Sequence, residues 1–396
     1  MNATMSDRAV TRNPSAAPSQ LRVMMLLGGL GIGGAETQAI ALAAGLQRDG
    51  HTVELVALAD GALRPMAESL GLTLHVMPRV AGLALTAIPA LTRRLSASQP
   101  QVVYAFLEVQ WLLALAAVSR LPRARRPRVV LGLRTSDYDA RPTQLKARVV
   151  RTLAKYSSPR ADLLIANSRA GLDSYRLVVP DAPHGVVVPN GIDVTRFVPS
   201  APSREHWRRT WSIPTDAAVV GHVGRLDPVK DHELLLRAFA VACVRDLPCH
   251  LVCVGHGDPE RVDSLERIAE SLGIASRVHF VGGQADASTI YPAFDILALT
   301  SRREGFPNVV AEAMSCGVPA IVTNCGASAD IVSGLGEVAP VGDADAFAMG
   351  LSRLLVRRSS ALAQDNRTHI VSNFSLGAAA SRTAAALQSL FQVNTV

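Results

Sequence analysis

Short apolar runs recur along almost the whole chain, each ended by turn-forming residues and separated from the next by a helical stretch. The first is Arg22–Leu27, followed at once by glycines, a helical pattern from Glu36 to Asp49 and a second run at Thr52–Leu58. Further runs lie at Leu72–Met77, Val102–Phe106, Val129–Leu133, Leu163–Ala166 and Val186–Val188. Pro189-Asn190-Gly191 is strong turn chemistry, and after it the series restarts at Ala218–Val223, His250–Val254, Val278–Val281, Ile296–Leu299 and Ala320–Thr323. Strands alternating with helices predict parallel βαβ units. The restart predicts two doubly wound α/β domains, and such sheets bind ligands at the carboxyl ends of their strands. The expected organisation is a tail over 1–20, a first domain over 21–194, a second over 195–372, and a C-terminal segment over 373–396. That segment contains an alanine-rich helix, Leu376–Leu390, expected to dock back on the first domain.

Composition narrows the class. The chain has 396 residues, of which 48% are hydrophobic and 18% charged, which excludes a disordered protein. Aromatics make up only 4%, too few for a nucleic-acid stacking platform. The longest uncharged stretch, Ala313–Ala329, is broken by Ser, Asn, Gly and Pro, so no segment reaches the ~18 apolar residues of a spanning helix. Residues 1–20 lack an apolar run and read as a disordered tail rather than a signal peptide. The cysteines, Cys243, Cys249, Cys253, Cys316 and Cys325, are odd in number and show no CxxC spacing. They read as buried, reduced thiols of a cytoplasmic protein.

Charge is distributed unevenly. Residues 1–195 carry 22 Lys+Arg against 13 Asp+Glu, a net +9, whereas 196–396 carry 18 against 20, a net −2. The basic half includes Arg120, Arg123, Arg125, Arg126 and Arg128. Such a field suits an anionic partner: a membrane surface, a phospholipid-linked substrate or nucleic acid. A solvated arginine-rich loop accounts for the same residues.

Three segments carry chemistry. Gly28-Gly29-Leu30-Gly31-Ile32-Gly33-Gly34-Ala35-Glu36 follows the first strand and opens a helix, so backbone amides can approach an anion or a sugar. A dinucleotide reading is weak, because no acidic residue closes the second strand. Gly221-His222-Val223-Gly224-Arg225-Leu226-Asp227-Pro228-Val229-Lys230-Asp231 follows the first strand of the second series. Arg225 and Lys230 are placed there to neutralise a diphosphate leaving group without a metal. Ser301-Arg302-Arg303-Glu304-Gly305-Phe306-Pro307-Asn308-Val309-Val310-Ala311-Glu312-Ala313-Met314 places Pro307 in the first turn of a helix. Amides around Phe306–Val309 would then face the cleft. Glu312, among apolar neighbours, needs a hydrogen-bonding partner such as a ribose diol. His51 and His222 read as structural.

Glu304 and Glu312, seven residues apart in an SxxEGFPxxxxEAM setting, resemble the EX7E motif of retaining GT-B glycosyltransferases. Together with the GGxGxGGAE loop, the VPNGID segment at Val188–Asp193, VGRLxxxK and the GVPAIVTNCG stretch at Gly317–Gly326, they resemble glycosyltransferase family 4 over roughly residues 22–390. The polysaccharide-biosynthesis members of that family are the nearest in type. The resemblance implies a GT-B fold of two Rossmann-like domains and no cofactor or metal. It implies a nucleotide-diphosphate-sugar donor, UDP- or GDP-linked, held mainly by the second domain. Arg225 and Lys230 would grip the diphosphate, Glu304 would contact donor-sugar hydroxyls and Glu312 would hold the ribose. The turn at Gly282, Gly283 and Gln284 would meet the base, Gly255 and Gly257 would line the nucleotide pocket, and Gly33 and Gly34 would approach the phosphates or the acceptor. The segment Gly305, Phe306, Pro307, Asn308 and Val309 completes the donor side.

One departure bears on mechanism. Many members carry a His after the strand that here ends at Leu133, where this chain has Arg134-Thr135-Ser136-Asp137. Arg134 or Ser136 is expected to take its place with Asp137 orienting them, and Glu108 is expected on the acceptor side. The implied acceptor is lipid-linked or a growing polysaccharide at the inner membrane face, with peripheral contact to anionic lipid and no nucleic acid. The alternatives are the same transfer to a soluble acceptor, an epimerase or hydrolase on the same fold, and a non-catalytic nucleotide-sugar-binding module.

Overall fold

The computed structural model describes residues 19–77, 87–139, 144–242, 248–284 and 286–392. The proposed tail lies almost wholly outside the described residues, as does Cys243. Among the described residues there are two parallel sheets. The first contains β1 (Arg22–Leu27), β2 (Thr52–Ala57), β3 (Thr73–Val76), β4 (Val102–Ala105), β5 (Arg128–Leu133), β6 (Leu163–Ala166) and β7 (Gly185–Val187), ordered β3-β2-β1-β4-β5-β6-β7. The second contains β8 (Ala218–Val223), β9 (Cys249–Val254), β10 (Val278–Phe280), β11 (Ile296–Leu299), β12 (Ala320–Thr323) and β13 (Glu337–Ala339), ordered β10-β9-β8-β11-β12-β13. This is the doubly wound α/β architecture expected from the alternation, used twice.

The strands are mostly apolar because helices cover both faces of each sheet. In β1, Met24 and Leu26 enter the core under helices Ala87–Ser98 and Glu108–Ser119, while Val23, Met25 and Leu27 enter the core on the opposite face. β13 had no counterpart in the sequence reading. It is short, it begins with Glu337, and only its last residue is buried, so its apolar signal is faint.

Strand order reverses at β1/β4 in the first sheet and at β8/β11 in the second. At such a switch point the two following connections leave in opposite directions and open a crevice. The loops after β1, β4, β8 and β11 carry the glycine run, Glu108, the Arg225/Lys230 pair and Glu304. The fold therefore delivers nearly all the chemistry-bearing segments to two crevices.

The basic run is placed differently. Arg123–Arg125 form a short turn that precedes β5, at the amino ends of the strands. It lies on the side of the sheet away from the crevice. Arg126 spends its guanidinium on the Ser119 and Leu121 carbonyls, closing the end of helix Glu108–Ser119.

The chain crosses between the sheets at two points. Ile192 pairs with Ser375 in an isolated parallel bridge, with Ile192 N–H donating to the Phe374 carbonyl at 2.7 Å and Leu376 N–H to the Ile192 carbonyl at 3.0 Å. The last helix, Leu376–Gln388, lies along helix Gly34–Arg48, and Leu387 enters the core beneath β1. The four described cysteines are free and buried. No described helix is long and apolar enough to cross a membrane.

Candidate active site

The backbone of the loop after β8 is hydrogen-bonded at two points. Asp227 accepts from the Val229 N–H at 2.9 Å, and the Lys230 carbonyl accepts from the Thr300 hydroxyl at 2.7 Å. Asp231 sits in the left-handed region at φ 49°. It is buried, and Arg302 Nε donates to its Oδ2 at 2.8 Å, joining the loops after β8 and β11. Lys230 Nζ is thereby brought to 2.6 Å from Glu304 Oε1, which also accepts from the Ser301 hydroxyl at 2.7 Å. Lys230 and Glu304 meet as one pair, a contact that sequence spacing did not suggest. Arg225 stands apart: its side chain is 82% exposed and pairs with Asp227 at 3.0 Å.

The segment after Glu304 explains its own composition. A Cβ on Gly305 would come within 2.7 Å of the Arg134 carbonyl, so only glycine lets the two backbones approach this closely. Phe306 is buried, its ring 5.7 Å from that of Phe374. Pro307 is not in the first turn as expected; it is the N-cap, and the helix runs Asn308–Ser315. With Phe306 and Pro307 buried and Val309 packed on the core, this segment offers backbone amides and the Asn308 side chain to the cleft. Gly34, the first residue of helix Gly34–Arg48, faces Asn308: a Cβ there would lie 3.9 Å from Asn308 Nδ2. Gly33 is the N-cap of that helix. Two helix N-termini thus converge, and both favour negative charge between them. The glycine run is braced by the buried Gln110, whose amide oxygen, in the orientation that satisfies both ends, accepts from the Gly28 N–H at 3.3 Å.

Glu312 is partly buried and accepts from the Tyr291 hydroxyl at 2.6 Å. Burial pushes its carboxyl above the usual range, opposed by that hydrogen bond and by Arg196. Tyr291 is a partner that no sequence signal announced. The loops after β9 and β10 complete this side. Gly255 has φ 158°, and a Cβ there would fall 1.8 Å from the Gly224 oxygen, so the β8 and β9 loops can touch only with glycine at this position. Gly257 lies against Leu226, Gly283 lies against the His256 ring, and Gln284 is exposed.

Across the cleft, the residues at the place of the usual His divide. Ser136 donates its hydroxyl to the Glu304 carbonyl, and Asp137 pairs with Arg303 at 3.1 Å. Both are therefore brought to the Glu304 segment. Arg134 is not. Its guanidinium lies 4.5 Å from the Phe106 ring centroid, bonds the Tyr104 hydroxyl at 2.5 Å and donates to Asn190 Oδ1 at 3.3 Å. Asn190 Nδ2 in turn donates to Asn308 Oδ1 at 2.9 Å. Arg134 ties Asn190 to Tyr104 and Phe106, and Asn190, read as a turn residue, is the link across the seam to Asn308. Glu108 faces Arg151 at 3.6 Å, one layer behind Asp137.

The structural readings of two histidines resolve separately. His51 Nδ1 accepts from the Leu21 N–H at 3.1 Å. His222 bonds the Ala298 carbonyl through Nδ1 at 2.9 Å, but its Nε2 has no partner among the described residues. Asp343, which with Asp345 makes a DxD sequence of the kind that can bind a metal, caps helix Ala344–Arg357 by accepting from the Ala346 N–H at 2.9 Å. Among the described residues no three His, Cys, Asp or Glu side chains converge as a metal site.

Two parallel Rossmann-like sheets facing across a cleft, with an acidic EX7E segment and a cation on the second, define the GT-B class. The family description "Glycosyltransferase Family 4" matches residues 32–196, and "Glycosyl transferases group 1" matches residues 203–369. The chain belongs to this group 1 family of glycosyltransferases. It is 35% identical over 212 residues to a D-inositol 3-phosphate glycosyltransferase of Saccharomonospora viridis, covering 50% of this chain and 48% of that one. It is 36% identical over 176 residues to the Actinosynnema mirum enzyme of the same name, covering 42% of each. The chain thus matches about half the length of these curated relatives. Its fold is similar to that of Anabaena HepE in complex with UDP, with TM-score 0.79, 22% identity, and coverage of 93% of this chain and 100% of the other. It is also similar to WaaG, a glycosyltransferase involved in lipopolysaccharide biosynthesis, with TM-score 0.69, 19% identity, and coverage of 92% and 99%.

Proposed function

We propose that this protein is a retaining, metal-independent hexosyltransferase that moves a sugar from a nucleotide diphosphate sugar, UDP- or GDP-linked, to a lipid-linked or growing cell-surface polysaccharide acceptor at the inner membrane face. The observation that carries this reading is the Lys230–Glu304 pair at 2.6 Å, set beside the two converging helix N-termini. A diphosphate entering there meets fixed amide dipoles and a cation that need not reorganise during reaction. Glu304, on the loop after β11 that faces Lys230, receives sugar hydroxyls, and Arg225, on the exposed edge, reaches the outer phosphate. Glu312 turns to the ribose, and the Gly283–Gln284 turn meets the base.

In the proposed step the acceptor oxygen bonds to the anomeric carbon as the bond from that carbon to the diphosphate oxygen breaks. The departing diphosphate oxygen takes the acceptor proton on the same face of the sugar. The product keeps the donor's anomeric configuration, and no side-chain base is required. Ser136 and Asp137 position the acceptor, in the place where related chains carry His.

Transfer to a soluble small-molecule acceptor is a second reading, favoured by the two relatives named for D-inositol 3-phosphate. Thermal shift against UDP-glucose, GDP-mannose and other nucleotide sugars tests the donor; a ligand at 100 Kd raises stability by ~2.7 kcal/mol. The anomeric proton coupling of the product tests retention. Inversion of configuration overturns the mechanism, and supply of lipid-extracted against soluble acceptors separates the two readings.

A further inference from the structure

The helix Leu145–Ser157 is folded with its apolar stripe outward. Leu145 is 72% exposed, Val149 51%, Leu153 53% and Tyr156 80%. At ~100° per residue these four positions fall within an arc of ~80°, so they form one continuous stripe on one face rather than scattered side chains. No other described helix carries more than two exposed large hydrophobics. Single exposed apolar residues need no explanation, but a line of four along three turns does.

The charge of the helix says what covers it. Its sequence LKARVVRTLAKYS contains Lys146, Arg148, Arg151 and Lys155 and no acidic residue. On the helical wheel Lys146 flanks the apolar line on one side, while Arg148 and Lys155 flank it on the other. A protein partner with an apolar groove would account for the line alone. An apolar stripe bordered by cations on both sides fits a bilayer interface, where apolar side chains enter the acyl boundary and the ammonium and guanidinium groups reach anionic headgroups.

The inner face of the same helix leads to the cleft. Ala154 is buried in the core of the first sheet, and Arg151 donates to the Asp137 carbonyl at 3.1 Å and faces Glu108. We propose that the outer face of helix Leu145–Ser157 is a docking surface for anionic lipid, which sets the acceptor side of the cleft against the membrane. This rests on the lipid-linked reading of the acceptor. It moves the membrane contact away from the Arg120–Arg128 run, which lies at the opposite ends of the strands.

The test is flotation of the full chain with vesicles of phosphatidylglycerol and phosphatidylethanolamine, compared with phosphatidylcholine alone. The expected result is binding to the anionic vesicles only, weakened by salt because the attraction is screened over ~8–10 Å. Val149→Glu with Leu153→Glu should lower partitioning ~10-fold or more, and Lys146→Glu should lower it about fivefold or more, since each cation near the surface contributes about that factor. All three positions are exposed, and an unchanged UDP-glucose thermal shift in each variant reports an intact donor site. Binding that is absent in the unaltered chain, or unchanged in the Val149/Leu153 variant, overturns the proposal. So does a concentration-dependent dimer that the same substitutions abolish, since the stripe would then be covered by a second copy. Loss of the donor shift with vesicle binding retained would instead count against the transferase reading and leave the lipid surface standing.

Discussion

Lys230 Nζ and Glu304 Oε1 lie 2.6 Å apart, although 74 residues separate them in sequence. Each side chain is less than one-fifth exposed. A diphosphate that takes Lys230 must therefore share it with Glu304, and the two residues act as a unit. Lys230→Ala should lower kcat ~10²–10³-fold, as removal of a preorganised charge does elsewhere. Glu304→Gln should lower it comparably, and the double variant should cost far less than the product of the two, because the pair is already broken. Arg225→Ala, at an exposed site, should raise KM more than it lowers kcat. Steady-state kinetics on the four variants check this, and additive effects of Lys230 and Glu304 would show that they act independently.

The path Tyr104–Arg134–Asn190–Asn308 ties the first sheet to the helix whose amides face the cleft. Arg134→Lys loses the planar fork and the ring contact, and an unfilled buried site should cost ~1–3 kcal/mol of stability. Asn190→Ala leaves Arg134 on Tyr104 and Phe106 but removes both the 3.3 Å bond from Arg134 and the link to Asn308. It should leave the thermal midpoint nearly unchanged, raise the KM for the donor and leave retention intact. Equal KM in the Asn190 variant and the unaltered chain would assign the link to structure alone.

His232 is buried with neither ring nitrogen partnered among the described residues, and its ring lies 4.4 Å from that of His222. Burial holds His232 down at about 4 and His222 well below its ordinary value. The unfolded chain takes up these protons near 6.5, before the folded one does. Stability from the neutral pair is therefore fully present above ~6.5 and falls as pH drops toward 4, by ~3 kcal/mol for His232. Chemical denaturation of His232→Phe between pH 4 and 7 should show a flatter slope than the unaltered chain.

Burial raises the Glu312 carboxyl above its ordinary value. In the folded chain it holds its proton to higher pH than in the unfolded chain, so its contribution to stability declines as pH rises from ~4.5 through the folded value. Glu312→Gln removes this cost and keeps an oxygen to accept from Tyr291. The variant should melt higher than the unaltered chain at pH 7 and bind UDP-glucose more weakly. A lower melting point at pH 7 would show that the charged form is stabilised in the fold.

Several elements were readable from local pattern. β6, β8, β11 and β12 match the apolar runs at both ends, because they are inner strands buried on both faces and almost wholly apolar, His222 and Thr323 being the exceptions. β13 was invisible because it is an edge strand with a charged first residue. Pro307 was misplaced by one position: proline favours N1, but here the helix starts at Asn308 with Pro307 as its N-cap. The exposed apolar face of Leu145–Ser157 also escaped notice, since periodicity reports that a helix has an apolar stripe and not which way the stripe turns.

The fold class and the loops that bear the chemistry follow from local order along the chain. Strand–helix alternation, glycines after β1 and the EX7E spacing are properties of neighbours within about ten residues, and local backbone and burial preferences act over that range. The partners of the site residues do not follow. Lys230 with Glu304, Tyr291 with Glu312, and Arg134 with Asn190 join segments whose meeting depends on strand order and on how the two sheets sit across the junction at Ile192 and Ser375. Nothing in a side chain's own neighbourhood encodes those separations, because packing of the whole core sets them.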